Sequence, residues 1–358
     1  MLYRYSTDEN GRVVKSAIIY TKNEHSITNK NIDVDALRII YQLNDYGYQA
    51  YLVGGAVRDL LLGKKPKDFD IVTEATPPQI KKIFRNSRII GKRFRLVHVF
   101  FGPKFFEVST FRSNENGSVG NLFGTIEQDV KRRDFSINAL YYDISKEQII
   151  DYCGGVSDIK KNILKPLIAL DRIFTEDPVR IIRAIKYSSV NNFKMSQKLR
   201  KQIKKNAHLL NTVSPSRLTE ELLKIINSGN ANLIFSKALK LKVFEHLQPN
   251  AYQLMLKNKA YEKTFLESMK KMDALVSSKP DCDLGDKLYY LIKDYTDCLT
   301  DWKTELEINK NTSEIYKQTW KECRNFVLPM NPQRTELEKA IKKVLKDNGI
   351  NVRNKKSK

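Results

Sequence analysis

Tyr48-Gln49-Ala50-Tyr51-Leu52-Val53-Gly54-Gly55-Ala56-Val57-Arg58-Asp59 is the stretch whose reading decides the fold. Tyr48 to Val53 is rich in aromatic and β-branched residues and reads as a strand. Gly54-Gly55 breaks it, and Ala56 to Leu62 reads as a helix ending at Gly63. Backbone N–H groups of such a turn can line a phosphate, and Arg58, one turn into the helix, is expected to face the same anion. Thirteen residues after Gly55 comes Asp68, within Lys67-Asp68-Phe69-Asp70-Ile71, in a segment from Asp68 to Thr73 that alternates as a second strand. Carboxylates two apart on a strand project from one face, with Phe69 and Ile71 on the other. A dianionic edge of this kind suits Mg²⁺, which binds through one or two carboxylates plus substrate phosphates. Taken alone, two acids on a surface strand are commonplace. A glycine turn, an arginine and paired acids in one short α/β segment together describe a nucleoside triphosphate site.

Working outward, Asp33 is placed to cap a helix carrying Ala36, Leu37, Ile40 and Leu43, with Gly47 at its stop. Pro77 to Phe84 starts a further helix, and Ile89–Ile90, Arg95–Phe101 and Phe105–Phe111 supply strands. A Ser-, Asn- and Gly-rich loop runs from Ser113 to Gly120, helical spacing resumes over Ile126–Leu140, and Tyr141–Tyr152 reads as a closing hairpin. Beyond residue 160 the strand signals fade. Pro178–Ser188, Ser196–Leu209, Ser216–Asn227 and Ala231–Phe244 each fit an amphipathic helix. Residues 1–30 are polar with little periodicity and are expected to form an irregular arm. Asn351 to Lys358 holds four basic residues and reads as a disordered basic tail.

The chain has 358 residues, enough for two or three units with cores of their own. Its formal net charge is +22, from 63 basic against 41 acidic residues, which points to a polyanionic partner. No apolar run of about 18 residues and no signal-peptide pattern occurs, which favours a nucleic acid over a membrane surface and a cytoplasmic location. Cys153, Cys282, Cys298 and Cys323 are scattered and are read as reduced, buried thiols. His25, His98, His208 and His246 are dispersed, so no second, hydrolytic activity is expected. Between residues 81 and 104, Lys81, Lys82, Arg85, Arg88, Lys92, Arg93, Arg95 and Lys104 occur with no acid, a patch suited to a phosphate backbone. Lys92, Arg93 and Arg95 are its expected RNA contacts.

Two acids compete to complete the carboxylate set. Glu107 lies in the otherwise apolar run Phe105-Phe106-Glu107-Val108, where an unpaired acid is costly to bury. Asp134 lies in Arg132-Arg133-Asp134-Phe135-Ser136-Ile137-Asn138-Ala139 and ranks first as the essential residue. Farther on, Asp177 and Arg180 stand three apart on the expected helix and share a face. Side by side they offer acceptors and donors to a base edge; the plain alternative is an ordinary i, i+3 ion pair.

Leu52 to Asp59, then Lys67 to Asp70, resembles the class II nucleotidyltransferases, the CCA-adding enzymes and bacterial poly(A) polymerases. Arg132 to Ala139 is similar to that family's ribose-selecting motif, and Glu176-Asp177-Pro178-Val179-Arg180-Ile181-Ile182-Arg183-Ala184 to its base-recognising helix. The ordered resemblance runs from about His25 to Asn227. It implies an α+β, polymerase-β-like nucleotidyltransferase head over residues 31–160, followed by an all-α neck (161–250) and body and tail (251–350). It also implies that Asp68 and Asp70 hold two Mg²⁺ ions, with Mn²⁺ as a substitute, and that Gly54, Gly55 and Arg58 hold the triphosphate. Arg132, Arg133 and Asp134 meet phosphate and ribose, and Asp177, Arg180 and Arg183 read the base. Ile89 to Val99 and Leu61 to Lys67 look like the poly(A) polymerase branch, which implies AMP transfer from ATP to the 3′ end of an mRNA. CCA addition to tRNA, with CTP as a second nucleotide, is the alternative, and a catalytically dead RNA-binding protein the third reading. No obligate protein partner is evident.

Overall fold

The structure, a computed structural model, describes residues 1–7, 10–91, 96–113, 122–302 and 311–352. The chain divides into two compact units, Met1–Ala169 with Phe193–Met195, and Leu170–Asn192 with Ser196–Lys358.

The first unit is built on a nine-stranded mixed sheet. Its strands are β1 (Leu2–Thr7), β2 (Val13–Tyr20), β3 (Ala50–Val53), β4 (Asp70–Thr73), β5 (Ser87–Ile90), β6 (Leu96–Phe101) and β7 (Lys104–Thr110). A two-stranded ribbon of β8 (Arg112–Ser113) and β9 (Leu122–Phe123) stands apart, and β10 (Leu140–Asp143) and β11 (Gln148–Asp151) complete the sheet. The order across it is β1-β2-β11-β10-β3-β4-β7-β6-β5, antiparallel throughout except for the parallel pair β4 and β7.

Helix α1 (Val34–Asp45) begins where the Asp33 carboxylate accepts from the Asp35 N–H at 2.9 Å, and buries Ala36, Ile39, Ile40 and Leu43. After α2 (Gly55–Leu61), α3 (Pro77–Ile83) starts with Thr76 and Gln79 in a reciprocal cap and proline in its first turn. Helix α4 (Ile126–Arg132) is capped by Thr125. The helix expected over 126–140 ends there: Arg133 turns extended, a 3-10 turn covers Ser136–Asn138, and β10 follows. Ala17, Tyr51, Val53, Val72, Phe111, Ile126, Val130, Ala139, Tyr141 and Ile150 form a continuous core cluster.

Residues 1–30 are not the irregular arm that their polarity suggested. They supply β1 and β2, and β2 is held by pairing Ile18–Tyr20 with Ile149–Asp151 of β11. Burial of Ala17 and Tyr20 anchors the hairpin to the core, while the rest of its residues stay largely exposed.

After a short α5 (Gly155–Lys160) in the first unit, the second unit is helical. It contains α6 (Ile173–Glu176), α7 (Val179–Val190) and α8 (Gln197–Asn206), the last followed by a 3-10 turn over Ala207–Thr212. Then come α9 (Pro215–Ile226), α10 (Ala231–Lys240), α11 (Phe244–Leu247), α12 (Pro249–Lys257), α13 (Lys259–Ser278) and α14 (Leu284–Leu299). Thr312–Phe326 forms α15 and Arg334–Asp347 forms α16. Phe235, Phe244 and Phe265 pack with ring centroids 5.5 to 6.0 Å apart at its centre. Among the described residues no helix is long and apolar enough to cross a membrane. The four cysteines are free; Cys282 and Cys323 are buried as expected, whereas Cys153 is half-buried and Cys298 exposed. From Arg353 onward the expected basic tail lies outside the described residues.

Candidate active site

All four residues of β3 are buried, so the strand is fixed before it reaches the glycine turn. Gly54 then adopts φ +74°, ψ −126°, a conformation essentially closed to residues with a side chain. Its N–H donates to the Leu140 carbonyl at 3.3 Å, tying the turn to β10, and α2 starts at the next residue. A Cβ on Gly54 would stand 3.7 Å from Arg133 Nη1 and 3.8 Å from the Asn138 carbonyl, ordinary contact distances. Backbone conformation, rather than space, demands glycine here.

Register brings the acids to this turn. Strand β4 lies antiparallel to β3 with Val53 opposite Asp70, so one carboxylate of the pair sits beside the last residue before Gly54. Asp70 is the first residue of β4, and Asp68 lies just ahead of the strand rather than on it. The expected strand from Asp68 therefore begins two residues late. Both acids are nonetheless exposed, Phe69 is half-buried and Ile71 fully buried, so the separation into a wet and a dry side holds.

Around the turn stands a buried polar frame. Arg58, expected to face the anion, is only 8% exposed; its Nη1 donates to Asn138 Oδ1 at 2.6 Å and its Nε to Asp59 Oδ1 at 2.9 Å. Asn138 Nδ2 in turn donates to Asp134 Oδ1 at 3.3 Å, which also accepts from the Phe135 N–H at 2.8 Å. Asp134 is thus a buried link in the frame beneath Gly54-Gly55. A second hub is Asp129, fully buried, which accepts from Arg132 Nε (2.8 Å), Arg133 Nη2 (2.7 Å) and the Tyr141 hydroxyl (2.7 Å). Burial works to raise the Asp129 carboxyl, but Arg133 and Arg132 outweigh it and hold the group at about 2. Arg132 and Arg133, expected to meet phosphate and ribose, are committed here to Asp129; Arg133 Nη1 also donates to the Asn138 carbonyl at 3.3 Å. Asp129 and Asn138 received no role in the sequence reading. The spacing of Asp129, three residues before Arg132 on α4 and four before the residue that ends it, is the signal that marks it.

Glu107 corrects a premise. It is exposed, not buried, and its Oε1 lies 3.5 Å from His98 Nε2 on β6. Because β4 and β7 run parallel with Ile71 opposite Val108, Glu107 stands beside Asp70 on the neighbouring strand. Among the described residues no three His, Cys, Asp or Glu side chains gather into a metal-holding cluster. The paired acids Asp68 and Asp70 still fit Mg²⁺, which needs only one or two carboxylates when substrate phosphates supply further oxygens.

In the second unit, Asp177 and Arg180 do not share a helix face. Asp177 precedes α7, whose N-cap is Pro178, and accepts from the Val179 N–H at 3.2 Å; its backbone is extended because Pro178 disfavours helical geometry at the residue before it. Its carboxylate pairs with Arg217 of α9, both oxygens at 3.0 Å, a partner absent from the sequence reading. Arg180 pairs instead with Glu176 at 3.2 Å and donates to the Ile173 carbonyl at 3.1 Å. Arg183 lies 3.5 Å from Glu221, a buried carboxylate also approached by Lys186 and Lys224, each at 3.3 Å.

Of the basic segment, Lys92, Arg93 and Arg95 lie outside the described residues. Lys81, Lys82, Arg85 and Arg88 are exposed, Lys104 pairs with Asp33 at 3.1 Å, and Phe84 belongs to the core.

Residues 50–165 match the poly A polymerase head domain, and residues 192–255 match the probable RNA and SrmB-binding site of polymerase A, together half of the chain. Poly(A) polymerase I of Salmonella typhi is 40% identical over 273 residues, 71% of this chain and 59% of that protein. The CCA-adding enzyme of Lactobacillus helveticus is 36% identical over 202 residues, 54% of this chain and 50% of that protein. The chain therefore spans about three fifths or less of the length of these curated relatives. The crystal structure of the Bacillus stearothermophilus CCA-adding enzyme in complex with CTP superimposes with a TM-score of 0.56 at 26% identity, covering 87% of this chain and 82% of that one. On these matches the chain belongs to the nucleotidyltransferase family of bacterial poly(A) polymerases and CCA-adding enzymes.

Proposed function

We propose that the chain transfers AMP from ATP to the 3′ ends of RNA without a template. The observation that carries this reading is the register of Val53 opposite Asp70, which sets a carboxylate at the mouth of a glycine-only turn. A turn suited to phosphate and an acid suited to a divalent cation at one sheet end can receive a nucleoside triphosphate and the metal that accompanies it. Asp68 and Asp70 would hold Mg²⁺ in a two-metal arrangement. Magnesium, when bound, favours ionisation of the attacking 3′-hydroxyl and stabilises charge on the departing pyrophosphate.

The remaining assignments follow the residues. Gly54 and Gly55 present the turn's backbone to the triphosphate. Arg58, Asn138 and Asp134 hold that turn in shape, and Asp129 fixes Arg132 and Arg133 at its flank. Asp134 is essential in this scheme because it anchors the frame, and Glu107 is a neighbour of Asp70 rather than a metal ligand. Asp177, Arg180 and Arg183 choose the base, with Arg217 and Glu221 as their braces. Lys92, Arg93 and Arg95 contact the RNA backbone, and the enzyme works in the cytoplasm.

Poly(A) addition is favoured over CCA addition by the longer and stronger likeness to poly(A) polymerase I. Sequencing the 3′ ends made from a tRNA lacking CCA and from an unstructured RNA, with all four nucleotides supplied, tests it. Runs of A on both RNAs are expected. Addition confined to C, C and A on the tRNA would overturn the choice, and no addition to either would overturn the activity.

A further inference from the structure

The exposed side of β5, β6 and β7 carries a feature that the assignments above leave unused. Cross-strand register sets Arg88 opposite His98 and His98 opposite Glu107, and Glu107 lies beside Asp70. One row across four strands thus reads Asp70, Glu107, His98, Arg88. Next to it, Phe100 stands opposite Phe105. His98 and Phe105 stack with ring centroids 4.4 Å apart and an interplanar angle of 18°, and Phe100 leans on both at 6.3 and 6.1 Å. The imidazole is further held by Glu107 at 3.5 Å. The opposite face of these strands, with Val97, Val99, Phe106 and Val108, is buried, so Phe105, 50% exposed, is not needed to close the core.

We propose that the Phe105–His98 stack is a platform for the base of the RNA's 3′-terminal nucleotide, a proposal that rests on the reading of the chain as an RNA-extending enzyme. Phe105 lies two residues along β7 from Glu107 and one strand from Asp70, roughly 8 Å by ordinary sheet spacings, a reach that one nucleotide can span. A base laid on the ring would bring its own 3′-hydroxyl toward the paired acids. Stacking accepts any base, because each has a π-face, which suits an enzyme that must start on an RNA ending in any nucleotide. Arg88, exposed at the far end of the row, supplies the cation for the backbone leading to that nucleotide.

The test uses the full chain, without nucleotides, and fluorescence anisotropy of a 15-nucleotide oligo(A) with an intact or an abasic 3′ end. Removing the terminal base is expected to weaken wild-type binding roughly tenfold. Phe105→Ala should weaken binding of the intact oligonucleotide by the same factor and leave the abasic one unchanged, while Phe105→Trp restores discrimination. Equal affinity of wild type for the two ends, or an equal loss on both ends in Phe105→Ala, overturns the platform. A change in sedimentation of Phe105→Ala in place of the RNA effect would make the face a protein contact and overturn it likewise. Extension assays separate the two proposals: wild type that discriminates the ends but adds no nucleotide refutes the polymerase reading and leaves the platform standing.

Discussion

The glycine-turn end of the head and the start of α7 in the second unit both carry acids and arginines, but they hold them differently. In the head, Asp129 is wholly buried and saturated by Arg132, Arg133 and Tyr141, and Arg58 is buried against Asn138. At α7, Asp177 is half-buried and pairs with an Arg217 whose side chain is 52% exposed. A buried network admits one arrangement and fails as a unit. An exposed pair is screened and loosely held, and contributes little to stability. The head network thus has the character of fixed scaffolding, and the pair at α7 that of a surface contact free to exchange partners.

That contrast is broken or sharpened most strongly at the acids themselves. Asp68→Ala and Asp70→Ala are each expected to abolish incorporation in single-turnover primer extension, while circular dichroism and RNA affinity stay near wild type, since both acids are exposed. More than a few per cent residual activity in both variants would remove the metal assignment.

Asp129→Asn comes next, because it leaves two guanidinium groups without their carboxylate in a buried setting. A loss of about 3 to 5 kcal/mol in urea unfolding is expected. The same residue sets an acid limit. Its carboxyl is held at about 2 in the fold against an ordinary value of 3.8. The stability it contributes is therefore full above about pH 4 and drains away as pH falls toward 2, an effect of order 2 kcal/mol. Asp129→Asn should flatten that part of the stability-versus-pH curve. An unaltered acid slope would place the head's rigidity elsewhere.

At α7 the expected order of effects reverses, with chemistry affected before stability. Asp177→Ala should relax discrimination between ATP and the other nucleotides by roughly 10- to 150-fold, the worth of a hydrogen bond to a charged group. Its melting temperature should hardly move. Competition among the four nucleotides on one primer measures it, and Arg217→Ala should shift the same ratios in the same direction by less. Unchanged ratios in Asp177→Ala would make the pair with Arg217 purely structural.

Lys92→Ala with Arg93→Ala, at positions outside the described residues, has the smallest expected effect. RNA affinity should fall several-fold and the salt slope by about 1 to 2, with nucleotide choice and stability untouched. Altered base choice would mean that the basic segment is coupled to selection.

Local signals made the strand, the glycine turn, the cap of α1, the proline start of α3 and the hairpin of β10 and β11 readable directly from the residues. What escaped depends on partners far along the chain. Polarity hid β1 and β2, whose place is fixed by β11, more than a hundred residues later. Arg217 is 40 residues from Asp177, and no spacing rule links them. The reading that buried Glu107 failed because an apolar run was taken as buried on both faces, whereas one face of β7 is wet. For the paired acids, the composition of the segment was legible but the register that makes it a site was not, since which residue of β3 meets Asp70 is decided by sheet pairing.

The late pairing of β2 also imposes an order of assembly during synthesis. β1 and β2 emerge before the other strands of the sheet and can close on each other as a local hairpin, but their place in the sheet exists only after β11 has left the ribosome. At ordinary elongation rates that interval is on the order of ten seconds. Throughout it the hairpin carries Leu2, Tyr3, Tyr5, Val13 and Val14 on exposed positions, with Ala17 and Tyr20 still uncovered. Docking of β2 is then the last long-range contact of the sheet to form, although β2 is translated ahead of every strand but β1 among those described.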